Sequence, residues 1–188
     1  IQDMDAEYFL LVEEDGKEGD RAISFNHPYD RTYPASITKL MTALVCVSSV
    51  ENLDQEFVVS GSSVIKEAGS STAFLQVGES LSIRNLLYGM LLPSGNDAAV
   101  AVAEATAGSV SAFVDRMNEK ALELGCLSSH FTNPHGLPDD NHYTSPYDIY
   151  LILKECMKYD SLREILATKE IQVQYKDKNG ISKSQVWK

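Results

Sequence analysis

Ser36 and Lys39 stand three residues apart in the stretch Pro34-Ala35-Ser36-Ile37-Thr38-Lys39-Leu40-Met41-Thr42-Ala43-Leu44-Val45. Pro34 blocks backward extension, and Leu40, Met41, Leu44 and Val45 recur at the spacing of one buried face, so a helix is expected to open at Ser36. Residues three apart share a side of a helix, which lets the lysine amine reach the serine hydroxyl without a third group. A free serine hydroxyl is a poor nucleophile at neutral pH and needs a base, but a lysine at its ordinary pKa of ~10.4 is protonated and cannot serve as one. Two features of the position push that pKa down. The positive end of the helix dipole disfavours an ammonium in the first turn, and apolar neighbours disfavour any charge. The chemistry to expect is therefore nucleophilic catalysis by a hydroxyl beside a neutral amine, at the bottom of a cleft.

Ser-x-x-Lys is a short pattern, and a second copy occurs at Ser63 and Lys66. There Glu67-Ala68-Gly69-Ser70-Ser71 ends any helix within two turns and leaves Lys66 solvated, so the first copy is the one that matters. A second constellation is Ser94-Gly95-Asn96, a tight loop between two helices that offers two short polar side chains to a cleft. Serine, glycine and asparagine are also what connectors are made of. Beside Ser36 and Lys39, however, they supply what that pair lacks: Ser94 a proton relay to a leaving group, Asn96 an amide to hold a substrate backbone. His130, His135 and His142, with Asp139 and Asp140 between them, lie in an irregular loop whose spacing does not favour a metal. No metal and no cofactor is expected, and His135 reads as a hydrogen-bonded structural residue.

The elements that must position these groups follow from periodicity. Glu7–Glu13 is a short apolar run, read as a strand covered on both faces; Asp15-Gly16-Lys17 turns it into a second strand at Arg21–Phe25. Glu56–Val59 is a candidate short strand, and residues 61–78 read as surface loop with a brief helix. From Ser82 the pattern becomes helical. Ser82 caps a helix carrying Ile83, Leu86, Leu87, Met90 and Leu91 that Pro93 ends at Leu92, and Asp97 is read as the cap of an alanine-rich helix stopping near Gly108. Phe113, Met117, Ala121 and Leu124 mark a third helix closed by Gly125, and Thr144-Ser145-Pro146 opens a fourth. At the end, Glu170–Tyr175 alternates as a strand, Asn179-Gly180 signals a hairpin turn, and residues 181–188 form the partner strand. The class is mixed α/β (α+β): an antiparallel sheet flanked by helices, with an inserted all-helical lobe. One domain over residues 1–188 is expected, its sheet lobe from 1–60 and 167–188 and its helical lobe from about 61–166.

Composition bounds the partners. The 188 residues are 44% hydrophobic and carry a formal net charge of -11, which argues against nucleic acid and against docking on anionic lipid. No apolar run is long enough to cross a bilayer, and Ile1-Gln2-Asp3-Met4-Asp5 has neither part of a signal peptide. Cys46, Cys126 and Cys156 are scattered, which argues against a disulfide framework, and Cys46 and Cys156 fall on expected core faces as small buried hydrophobes.

The stretch Pro34–Thr42, and Tyr88-Gly89-Met90-Leu91-Leu92-Pro93-Ser94-Gly95-Asn96-Asp97-Ala98-Ala99, closely resemble the first two signatures of the low-molecular-weight penicillin-binding proteins that act as serine D-alanyl-D-alanine carboxypeptidases. Phe131-Thr132-Asn133-Pro134-His135-Gly136-Leu137 and His142–Asp148 extend the likeness, in order, over nearly the whole chain. The resemblance implies the β-lactamase/transpeptidase-like fold of the serine penicillin-recognising enzymes, with the active site between sheet and helical lobe. It implies Ser36 as the acylated nucleophile, Lys39 as general base, Ser94 as proton relay to the leaving D-alanine, Asn96 as a substrate hydrogen-bonder, and the Ser36 backbone amide as half of an oxyanion hole. It further implies a peptidoglycan stem peptide as substrate, β-lactam antibiotics as covalent inhibitors, and a place outside the cytoplasmic membrane, with any membrane anchor outside this chain.

One signature is missing. The family's Lys-Thr-Gly strand, which binds the substrate carboxylate, occurs nowhere in these residues. The sheet is therefore expected to be incomplete in this chain, with a complementing C-terminal segment carrying Lys-Thr-Gly present as a separate chain, a cleaved piece or a stretch outside the structure. Two other readings stay open: a class A-like β-lactamase, against which stands the lack of a glutamate between Leu124 and Lys154 to activate a deacylating water, with Asp139 and Asp140 its nearest approximation; and a non-catalytic wall-peptide-binding or sensing domain.

Overall fold

The computed structural model describes residues 6–14, 19–63 and 69–188. The turn read at Asp15-Gly16-Lys17, the amino-terminal Ile1–Asp5 and Lys66 of the second Ser-x-x-Lys lie outside them. At the centre is helix α1, Thr38–Ser49, with eight buried residues that include Lys39, Met41, Leu44 and Cys46. The chain reaches it through a 3-10 turn at Ala35–Ile37, in which the Ile37 amide donates to the Pro34 carbonyl at 3.1 Å. The helix therefore begins at Thr38, two residues later than Ser36, because the tighter i to i+3 turn takes up the first turn after Pro34.

Helix α2, Ile83–Leu91, is capped as expected: the Ser82 hydroxyl accepts from the Asn85 amide. It stops ahead of Pro93, which cannot continue the ladder. Helix α3, Asn96–Ala107, differs from expectation in its cap, which is Gly95. Asp97 lies inside the first turn, and its buried carboxylate accepts from the amides of Ala73 and Leu75 as well as Ala98. A carboxylate two residues past the cap can face away from its own helix, and here it pins a neighbouring loop. Helix α4, Val110–Leu124, is opened by Ser109 and closed by left-handed Gly125. Helix α5, Pro146–Cys156, starts at the Ser145 cap with proline at its first position. A further short helix, α6 at Asp160–Ala167, follows. Helix α1 packs against α2, α3, α4, α5 and α6 alike.

Two antiparallel sheets accompany the helices. Strands β1, Phe9–Glu13, and β2, Arg21–Asn26, pair with a register shift between Leu11 and Val12. This hairpin is not covered on both faces, since Leu11, Ile23 and Phe25 are exposed. The second sheet runs β3 (Glu56–Val58), β4 (Ser80–Ser82), β5 (Ile171–Lys176), β6 (Ser182–Trp187) in that spatial order. Strand β4 is too short to leave an alternating signature. Residues 171–187 thus pair with β4, from the segment read as helical lobe, and not with the β1–β2 hairpin. The β5–β6 turn forms where Asn179-Gly180 placed it, with Gly180 at φ +78.

Two contacts made by later segments of the chain matter most for the site. Trp187, 3% exposed, lays its indole over Gly89 so closely that a Cβ there would come within 2.9 Å of the ring, and its Nε1 donates to the Ala73 carbonyl at 3.3 Å. The loop 131–145 folds back on the turn that carries Ser36. The Thr42 hydroxyl donates to the Pro134 carbonyl at 2.7 Å, and a Cβ at Gly136, where φ is +89, would fall 1.8 Å from the Ala35 carbonyl oxygen. Removing the indole by Trp187→Ala is expected to cost about 3–5 kcal/mol of unfolding free energy, read as a lowered denaturant midpoint; a loss below ~1 kcal/mol would contradict this packing. Gly125 shares the positive φ but has open space around it. Gly125→Ala should therefore show backbone strain alone, about 1 kcal/mol, whereas Gly136→Ala adds a collision with backbone and should lose a further 1–3 kcal/mol or more in the same measurement. Equal losses in the two variants would show that the loop does not press on Ala35 as described.

Candidate active site

The site starts from a charge in the wrong place. Lys39 is 2% exposed, a burial that lysine rarely tolerates without partners. Its Nζ has three, all oxygen: Ser36 Oγ at 3.1 Å, Asn96 Oδ1 at 2.7 Å and the His135 carbonyl at 3.0 Å. No carboxylate is among them. Burial lowers the Lys39 pKa to about 8, against a smaller upward pull from the Asp97 carboxylate. An amide oxygen and a backbone carbonyl can only accept, so they take two lysine N–H groups. The third direction of the nitrogen points to Ser36. In the ammonium it holds a proton donated to the hydroxyl, and in the neutral amine it holds the lone pair that accepts the hydroxyl's proton. The expectation of an uncharged amine beside a hydroxyl thus acquires a geometry.

Each partner is held by a different element. Ser36 sits in the 3-10 turn one helical turn before Lys39, which gives the three-residue spacing its effect. Asn96 opens α3, with its amide donating to the Ser71 carbonyl at 2.9 Å and its Nδ2 to the Ser70 hydroxyl at 2.7 Å. Gly95 is buried and hemmed in, since a Cβ would meet the Gly89 carbonyl at 2.6 Å and the Ala73 amide at 2.8 Å. Ser94, half-buried and left-handed at φ +60, occupies the same loop two residues before Asn96. The loop bearing Ser94 is therefore brought to the Lys39 side of the molecule by the contact between Asn96 and Lys39.

The third partner was not visible in the sequence, because a backbone carbonyl leaves no residue signature. The His135 carbonyl is aimed by a side chain to which the sequence assigned no role: Asn133 accepts from the amides of His135 and Gly136 and donates to the Leu137 carbonyl. The His135 ring accepts from the Leu137 amide, and burial together with Lys39 holds its pKa near about 4, so it is a neutral structural group. His142 carries a role that sequence reasoning missed. Its Nδ1 accepts from the Thr132 amide, so the proton sits on Nε2, which donates to Thr38 Oγ1 at 2.8 Å. It ties the far side of the loop to the first residue of α1. His130 instead bonds the Asn141 carbonyl, and among the described residues no group of three His, Cys, Asp or Glu side chains is arranged to hold a metal. Beside the turn that carries Ser36 lies a groove of about 340 Å³ bounded by Tyr33, Ala35, Gly136–Asp140 and His142. Asp139 is engaged there by the Asn141 amide.

Comparison with known proteins agrees with this arrangement. A family model described as D-alanyl-D-alanine carboxypeptidase, peptidase S11, matches residues 2–187. D-alanyl-D-alanine carboxypeptidase DacF of Bacillus subtilis is 39% identical over 143 residues, covering 75% of this chain and 37% of its own. DacA of Escherichia coli K12 is 35% identical over 162 residues, covering 81% and 39%. The chain thus spans under two fifths of the length of these curated relatives. Among solved structures, the Streptomyces K15 DD-transpeptidase superposes with a TM-score of 0.89 at 29% identity, over 97% of this chain and 73% of that one. With a buried lysine between two serine-bearing segments and a family match over almost every residue, the chain belongs to the peptidase S11 family of D-alanyl-D-alanine carboxypeptidases.

Proposed function

We propose that the protein is a serine DD-carboxypeptidase that removes the terminal D-alanine from peptidoglycan stem peptides through an acyl-enzyme on Ser36, acting outside the cytoplasmic membrane where that substrate lies. The observation that carries this reading is the set of three contacts on Lys39 Nζ, two of them from acceptors only. Ser36 Oγ attacks the carbonyl of the scissile D-Ala-D-Ala bond as its proton passes to the Lys39 lone pair. The Ser36 backbone amide stabilises the developing oxyanion. Ser94 then relays a proton from Lys39 to the amine of the departing D-alanine, and water releases the acyl group by the reverse traffic. Asn96 gives Oδ1 to Lys39 and one N–H to Ser70, which leaves one N–H for the substrate backbone.

β-Lactams are stable acylating mimics of the same substrate in this reading. A cationic partner for the substrate carboxylate and a second oxyanion donor are assigned to a Lys-Thr-Gly strand supplied by a segment outside this sequence. That assignment is supported by the absence of Lys-Thr-Gly from the 188 residues and by the share of the relatives' length that the chain spans. Among the described residues no single helix is long and apolar enough to cross a membrane. The groove beside the nucleophile turn offers Asp139 and Asp140 but no glutamate, which favours slow release of a penicilloyl group over rapid β-lactam turnover.

Labelling of the full-length protein with a fluorescent penicillin tests the reading. A covalent adduct on Ser36 is expected, abolished in Ser36→Ala and slowed about 10²–10⁴-fold in Lys39→Ala. The base is the deprotonated amine, so the labelling rate should climb nearly tenfold per pH unit below the Lys39 pKa of about 8 and level off above it. An adduct that survives Ser36→Ala, or a rate flat from pH 6 to 9, would overturn the assignment. Release of D-alanine in water, rather than its transfer-coupled release only when an acceptor amine is present, separates carboxypeptidase from transpeptidase.

A further inference from the structure

We propose that Ser70 is a positioning residue for this reaction, acting through Asn96: its hydroxyl anchors the far end of the Asn96 side-chain amide and so keeps the near end on Lys39. The role presupposes that Lys39 activates Ser36.

The asparagine amide is planar and two-ended, and rotation about its last torsion is broad and soft. A single contact leaves the plane free to swing. Here both ends are held at the same short distance, Oδ1 by Lys39 at 2.7 Å and Nδ2 by Ser70 Oγ at 2.7 Å. With the plane fixed, the acceptor stays on the lysine, and the remaining N–H of Nδ2 keeps one direction toward the cleft. Without Ser70, the amide can turn its N–H toward the neutral lysine. It would then compete with the Ser36 hydroxyl for the one lone pair the mechanism needs.

The loop that brings Ser70 into place does not depend on this hydroxyl. Ser71 takes the Asn96 amide on its carbonyl, and the amides of Ala73 and Leu75 both donate to Asp97. Three backbone attachments therefore dock residues 71–75 on the start of α3 whatever stands at position 70. Ser70 is itself only half-buried, so removing its oxygen opens no core cavity. The loss should be felt in chemistry rather than in folding.

A double-mutant cycle on penicillin acylation in the full-length protein tests this. Ser70→Ala is expected to slow acylation about fivefold to tenfold, the size of one hydrogen bond, with an unchanged thermal midpoint, and Ser70→Thr is expected to restore it to within about twofold. In an Asn96→Ala background, Ser70→Ala should have no further effect. An equal slowing in both backgrounds, or no slowing in either, overturns the role of Ser70 while leaving Ser36 as the nucleophile. Failure of the unaltered protein to acylate at Ser36 defeats the underlying reading instead, and the role of Ser70 with it.

Discussion

Burial of the Lys39 amine is the constraint around which the rest of the molecule is arranged. An ammonium in a dry interior is costly unless it is paired, and the usual partner would be a carboxylate. Such a pairing would fix the lysine in its charged form and leave it no lone pair to accept a proton. This protein gives Lys39 uncharged acceptors, one from each of three chain segments, and keeps the nearest buried carboxylate, Asp97, occupied with three backbone amides. The result is a lysine whose charged form is tolerated but not secured. Its pKa falls to about 8, which lies near the working range of a base at physiological pH.

Much of the scaffold serves that arrangement. Asp97 pulls the 73–75 loop onto α3, the Ala73 carbonyl receives Trp187 and Gln185 from β6, and the Trp187 indole covers Gly89 in α2. The Ser94-Gly95-Asn96 loop is thereby clamped from below and behind. On the other side, Asn133, Thr42, Gly136 and the His142–Thr38 pair press the 133–137 loop against the Ser36 turn, where the His135 carbonyl meets the lysine. Two tight glycine contacts, at Gly95 and Gly136, mark where backbone meets backbone with no room for a side chain. Both flank the same amine.

The legible part of this was whatever rests on side-chain type at short range. Ser36 with Lys39, the Ser82 cap, the Ser145-Pro146 opening, the stops at Pro93 and Gly125 and the Asn179-Gly180 turn follow from local preferences, and the structure keeps them. Illegible parts depend on partners far along the chain. Strand β4 exists because β3 and β5 flank it, not because Ser80–Ser82 prefers to be extended. The carboxylate of Asp97 was assigned to the nearest helix end, when two of its three partners lie more than twenty residues earlier. The expected grouping of residues 171–187 with the first hairpin failed for the same reason: alternation says that a segment is a strand but not which strand it pairs with. At the site, Ser36, Lys39 and Asn96 came from motifs, while the His135 carbonyl and the Ser70 hydroxyl could only come from coordinates.

The central claim is that the folded protein holds an amine at Lys39 that gives up its proton far more easily than lysine in water. Selective ¹³Cε labelling of lysine, with the Lys39 signal assigned by its loss in Lys39→Arg and followed from pH 6 to 11.5, reads this directly in the unmodified protein. A titration midpoint near 8 is the result this structure predicts. A midpoint at the ordinary value near 10.5 would mean that the three acceptors secure the ammonium after all, and the activation of Ser36 described above would have no base.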